Sequence, residues 1–150
     1  MNNTEFEAAR RLLFFSLAEA ATIVAGVSEQ TWRRWEAGAK PIPDDVTETM
    51  SFLMKWRDNA ILGAVQQLEE SPDPQNTEIF LVWYQTMDDF GTLPDREPIF
   101  WRPHQSVCSA LLAAFPGQIN LVKFSPPEYS KWLGDQQDSE TLRSAWATGI

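Results

Sequence analysis

An α+β fold is what this sequence predicts, with an all-α module over residues 1–71, a small α/β module over 78–134 and a polar tail over 135–150. Three observations point there. Ser16 to Gly38 (SLAEAATIVAGVSEQTWRRWEAG) reads as two short capped helices joined by a tight turn. Apolar residues then recur at helical spacing from Val46 to Leu68. Beyond the proline-rich break Ser71–Thr77 (SPDPQNT), the short runs Ile79–Tyr84 (IFLVWY) and Ile119–Phe124 read as strands.

The first helix is expected from Thr4, with Glu7 three residues on as a capping box and Phe6, Ala9 and Leu13 on its inner face. Ser16 and Glu19 form a second box. Leu17, Ala20, Ala21 and Val24 follow on one face, and the two alanines leave room for a second helix to cross closely. Gly26 supplies the left-handed dihedrals of the corner. Ser28 caps the next helix (Ser28–Ala37), Trp32 and Trp35 form its buried stripe, and Gly38 ends it. Its outward face carries Glu29, Gln30, Arg33 and Arg34. Pro43 fits the first turn of the next helix, and Asp44 and Asp45 suit its positive end. Val46, Met50, Leu53, Met54, Ile61, Leu62, Val65 and Leu68 keep its period for more than six turns, long enough to reach a second module or to form a dimer seam.

In the second half, Ile79–Tyr84 reads as a strand buried on both faces and Pro98–Trp101 as a second short strand. Gln105–Phe115 (QSVCSALLAAF) reads as a helix stopped by Pro116 and Gly117, and Ile119–Phe124 as a strand. Pro126 and Pro127 open a short helix through Leu133. After Gly134 the chain turns polar, with Leu142 and Trp146 able to dock one helical turn.

Composition bounds the function. Of 150 residues, 43% are apolar, with seven tryptophans and nine phenylalanines, so a packed core is expected. No apolar run approaches the ~20 residues of a membrane span. The start, MNNTEFEAARR, lacks the order of a signal peptide, and Cys108 is the sole cysteine, so no intrachain disulfide forms. A cytoplasmic, non-membrane protein is expected. Its net charge of −9 is unevenly placed: residues 1–57 hold seven basic and eight acidic side chains, residues 58–150 five and thirteen. The basic side chains thus concentrate around the helical pair, and salt screens charges beyond ~10 Å.

Catalytic chemistry is not expected. His104 and Cys108 stand four apart, but two side chains fall short of a zinc site, and in an alanine-rich helix a packed cysteine fits better than a nucleophile. The adjacent carboxylates Asp44-Asp45, Glu69-Glu70 and Asp88-Asp89 point apart on a helix and read as solvated faces or caps. No phosphate-cradling glycine loop occurs, and neither cofactor, metal nor small-molecule ligand is implied. The capped pair fits a different task. A short helix with arginines and a glutamine opposite its core stripe suits a probe of the DNA major groove.

Trp35, Glu36 and Gly38 make Ser16–Gly38 resemble the Cro/CI-type (xenobiotic-response-element) helix-turn-helix. More broadly, EAARRLL, EAA, VSEQTWRRWEAG, IPDDV and WRPHQSV, spread from Glu7 to Val107, resemble the YdiL-like proteins and their relatives, the anti-CRISPR-associated repressors. The resemblance implies a homodimeric repressor on inverted-repeat double-stranded DNA, its C-terminal α/β module helping dimerisation. By position, Ser28 caps the recognition helix and Glu29, Gln30 and Arg34 face base edges, with Arg33 at their flank. Ser16 and Leu17 lie where backbone amides meet phosphate, and Lys40 adds a basic charge beyond the helix. Glu36 is implied to hold Arg10 or Arg11 in an ion pair. One departure is the corner Ala25-Gly26-Val27, which looks one residue longer than usual.

The expected function is therefore a dimeric transcriptional repressor acting by steric occlusion of a promoter, such as its own. The alternative is an acidic protein–protein interaction module, such as an antitoxin or adaptor.

Overall fold

A computed structural model describes residues 1–149. Helix α1 (Asn3–Leu12) starts on an Asn2–Glu5 capping box: the Asn2 carboxamide accepts the Glu5 amide at 2.8 Å and the Glu5 carboxylate accepts the Asn2 amide at 3.1 Å. The expected Thr4–Glu7 box does not form, because asparagine is at least as good a cap and stands two residues earlier. The inner face is unchanged by the shift, and Phe6, Ala9 and Leu13 are buried.

Helix α2 (Leu17–Glu19) carries the expected Ser16–Glu19 box. It continues as a π-helical segment, Ala20–Ala25, that ends on left-handed Gly26 at φ 63°. The Gly26 amide reaches back to the Ala21 carbonyl, as does that of Val27 at 2.9 Å. The i→i+5 bonding fits about one more residue into this turn than an α-helix would. Ala20 and Ala21 are buried, so helix α3 (Glu29–Glu36) packs closely. The Ser28 hydroxyl accepts the Thr31 amide, and the helix ends in a Schellman pattern, with Gly38 bonded to Trp35 and Ala39 to Arg34. Trp32 lies stacked on Phe6 with ring centres 4.7 Å apart.

Helix α4 (Asp44–Glu69) begins with Pro43 at the cap, one position before the predicted first turn. Its 26 residues span about 39 Å and enter two cores. Val46, Met50 and Leu53 join Phe6, Leu13, Trp32 and Trp35. Trp56, Ile61, Val65 and Leu68 pack on Ile79, Val107, Leu111 and Ile119. Leu62, expected in the buried stripe, is 55% exposed, because that stripe is narrower than the run of apolar residues.

Strands β1 (Ile79–Trp83) and β2 (Ile119–Lys123) pair in parallel, from Ile79 opposite Ile119 to Trp83 opposite Lys123. The crossover holds α5 (Met87–Phe90), a 3₁₀ turn at Pro98–Phe100 and α6 (Trp101–Ala114). Pro98–Trp101 is therefore not a strand, and the helix expected from Gln105 begins at Trp101. Pro103 sits in the first turn of α6, where an amide has no intrahelical acceptor, so it does not stop the helix. Ile79 and Ile119 face α4 and α6, whereas Val82 and Phe124 face Tyr129 and Ala147. Those two residues belong to α7 (Pro126–Leu133) and α8 (Glu140–Thr148). The stretch read as a polar tail thus covers one face of the sheet, with Arg143 and Ala147 buried. The fold is α+β, mostly helical around one small parallel sheet.

Candidate nucleic-acid interface

Helix α3 is held from behind. Glu36 accepts two hydrogen bonds from Arg10, at 2.6 and 3.1 Å, and one from the Trp32 indole. Arg10 spends its remaining arm on the Phe15 carbonyl at 3.0 Å. This network fixes α3 against α1 and the chain ahead of α2. Of the two arginines the resemblance implied, Arg10 takes the role; Arg11 pairs with Glu7.

The opposite face is open. Glu29, Gln30, Arg33 and Arg34 are all exposed, and so is Lys40 beyond the helix end. Among the described residues, Gln30, Arg34 and Lys40 have no side-chain hydrogen bond or ion pair. Gln30 and Arg34 stand one turn apart, on the same side. Glu29 and Arg33 instead pair with each other at 2.8 Å, so any outside contact by either must first open that exposed bridge, which is worth a few tenths of a kcal/mol (~0.3–0.5).

At the start of α2, Ser16 is exposed but its hydroxyl is spent on the cap, and Leu17 packs its side chain against the first core. What that end offers is backbone: the amides of Leu17 and Ala18 have no intrahelical acceptor, at the positive end of the helix. Lys40 lines an open hollow of about 380 Å³ with Met1, Asn3 and Trp35.

Arg102 and Glu19 stand 83 residues apart in sequence, and nothing in the periodicity of the chain joins them. Arg102, near the start of α6, grips the Glu19 carboxylate at 2.8, 3.0 and 3.2 Å. The guanidinium lies 4.0 Å above the Trp101 ring and also donates to Gln105 at 2.7 Å. Burial opposes the charge on Glu19, but the bonds from Arg102 and Ser16 outweigh it and hold its carboxyl below the ordinary range. The WRPHQSV block was the available signal, since it is polar where a core helix would be apolar. Its Trp101 and Gln105 both donate to the Tyr84 carbonyl, and Ser106 accepts from Arg57.

His104 and Cys108 do not form a reactive pair. The sulfur lies 3.9 Å from His104 Nδ1, burial pushes the thiol up to about 12, and burial together with Arg96 pushes the imidazole down to about 4. Both groups are neutral at pH 7. Since the folded imidazole titrates below its ordinary 6.5, the unfolded chain binds the extra proton between those values. The contribution is complete above pH 6.5 and falls by up to about 3 kcal/mol toward pH 4. Urea midpoints at pH 7 and pH 4.5 should therefore separate less in His104→Leu than in the wild type; equal separations would count against it.

The fold and this face define a class: an α+β protein whose capped helical hairpin turns an exposed polar face outward. More particularly, the chain belongs to the Aca2/YdiL-like family, whose model matches residues 1–119. It is similar to the Aca2 repressor of Pectobacterium phage ZF40, 33% identical over 110 residues that make up 73% of this chain and 90% of that protein. It is also similar to the uncharacterized protein YdiL of Escherichia coli strain K12, 28% identical over 116 residues, 75% of this chain and 94% of that one. Helices α7 and α8 lie beyond the family match.

Proposed function

We propose that this chain is a helix-turn-helix transcriptional repressor of the Cro/CI type that binds inverted-repeat double-stranded DNA as a homodimer, with α3 as its recognition helix. One observation carries the reading. Gln30 and Arg34 stand exposed and, among the described residues, without side-chain partners, one turn apart, on a helix whose other face is fixed by two buried tryptophans and the Arg10–Glu36 pair. Glutamine suits the N6/N7 edge of adenine and arginine the O6/N7 edge of guanine, each good pair giving ~1–3 kcal/mol of discrimination. The amides of Leu17 and Ala18 then meet a phosphate, and Lys40 adds a salt-sensitive contact. The −8 of residues 58–150 does not oppose this on the hairpin itself, where Glu19, Glu29 and Glu36 are each matched by an arginine.

Two copies are proposed because one short helix reads too few base pairs to pick out a site in a genome. Beyond Thr77 little apolar surface is open: α4, α6 and α8 cover the sheet, and among the described residues only Leu112 of the large exposed apolar side chains lies in that half. Each strand still has one edge without a strand partner, and Leu112 is open, so the C-terminal half remains the proposed seat of the dimer.

Replacing Arg34 with alanine should leave the thermal transition unchanged and lower affinity for a selected operator by about 10- to 100-fold. Titration at fixed salt, with light scattering of the free protein at tens of micromolar, checks both claims. Full operator affinity in Arg34→Ala would remove the base contact, and a monomer at tens of micromolar would remove the dimer.

A further inference from the structure

The Arg102–Glu19 pair does more than its location requires of a surface bridge. Exposed ion pairs bring little stability, and this one keeps 29% and 22% of its side-chain surfaces open. Yet Arg102 is unusually restrained: three hydrogen bonds to one carboxylate, a fourth to Gln105, and a tryptophan ring beneath. The planar fork of arginine gives direction as well as charge, and lysine does not reproduce it. Each end of the tie is itself anchored. Glu19 is clamped to the start of α2 by its bond to the Ser16 amide at 2.9 Å. Gln105 and Trp101 are clamped to the end of β1 through the Tyr84 carbonyl.

We infer that the Arg102–Glu19 pair is a specificity-determining tie that sets the orientation of the α2–α3 hairpin relative to the C-terminal half, and through it the half-site spacing the dimer accepts. The inference rests on the proposed repressor reading. The other links between the two halves include helix α4, the Arg57–Ser106 bond, the Phe100 ring against Phe52 and Trp56, and the apolar contacts of Ile99 and Phe100 with the first core. Apolar contacts, including those that α4 makes in both cores, are non-directional. Arg102 supplies the lateral, directional restraint. Adding or removing one base pair between half-sites turns one recognition helix by about 34° and moves it about 3.4 Å relative to the other. A hairpin held at one angle rejects such a change, whereas a loosely held one follows it.

The test uses the full chain and the duplex it selects most strongly from a random-sequence library, remade with one base pair added or removed at the centre, plus a duplex with one half-site. Three variants are compared with the wild type. Arg102→Met keeps the stem and loses the fork, Arg102→Lys keeps only the charge, and Glu19→Gln keeps the cap, since glutamine serves in a capping box. The wild type should lose at least about tenfold in affinity for each spacing change, and Arg102→Met and Glu19→Gln less than about threefold. Arg102→Lys should resemble Arg102→Met, all with unchanged single-half-site affinity and near-native melting. An unchanged spacing penalty in the variants overturns the inference. An equal loss on the single half-site, with a shallower salt dependence, also overturns it, by making Arg102 a phosphate contact. If the wild type selects no duplex, the repressor reading itself falls.

Discussion

Glu36→Ala is expected to lower stability by about 3–5 kcal/mol, the usual result of stripping one partner from a buried ion pair. Arg10 and Glu36 expose 8% and 9% of their side chains, so alanine leaves a guanidinium charge in place without its acceptor. The Trp32 indole loses its acceptor as well. A domain of this size holds roughly 5–15 kcal/mol in all, so α3 should melt near ambient temperature and operator binding should vanish with it. Two companion variants separate charge from packing. Glu36→Gln retains an oxygen for the indole and should lose less. The pair Arg10→Met with Glu36→Leu removes both charges and should be more stable than Glu36→Ala, because an apolar pair leaves no stranded charge. Urea unfolding followed by tryptophan fluorescence reads all three. A Glu36→Ala midpoint within about 1 kcal/mol of wild type would show that the pair contributes only an ordinary surface bridge.

The hairpin was legible in the sequence because its signals are local. Ser16 and Glu19, Ser28, Gly26 and Gly38 each act within a few residues, and each is found in that role. The two strands were legible for a related reason: an apolar run between turn residues leaves few alternatives. Pro98–Trp101 shows the limit of that rule. Four residues cannot distinguish a strand from a helix start, and here the Trp101 indole reaches the Tyr84 carbonyl, 17 positions away, from the first turn of α6. Arg102 and Glu19 are further still from legibility, since their meeting depends on how two finished modules lie against each other. On the open face of α3 the pattern turned Gln30 and Arg34 outward, but it did not reveal that Glu29 and Arg33 would occupy one another.

Arg143 marks the largest difference between pattern and structure, and it supports the second strong expectation: Arg143→Ala should destabilise the chain by about 3–5 kcal/mol. In a stretch that reads as solvated, its side chain is 3% exposed. It donates to Asp138 at 2.6 and 3.2 Å, to the Thr92 hydroxyl at 3.0 Å and to the Tyr84 hydroxyl at 3.3 Å. Its plane lies 4.5 Å from the Phe124 ring centre and 5.2 Å from that of Tyr129. Hydropathy cannot reveal such burial, because the charge is matched by Asp138 five positions earlier and by the rings of Tyr84 and Phe124, just past β1 and β2, and of Tyr129 on α7. The hydrogen bonds from Arg143 hold the Asp138 carboxyl below its ordinary range, so its contribution is present above the ordinary carboxylate pKa and is lost as pH falls through the lowered value. Alanine would leave the Tyr84 hydroxyl and Asp138 short of partners and open a void under three aromatic rings. Lysine, with charge but no fork, should recover only part of the loss. Since α8 lies beyond residues 1–119, where the family match ends, the experiment also asks whether the added helices have become part of the core. Near-UV circular dichroism and urea unfolding decide it: a change within about 0.5 kcal/mol, the range of an ordinary surface substitution, would make α8 an ornament on a sheet that stands without it.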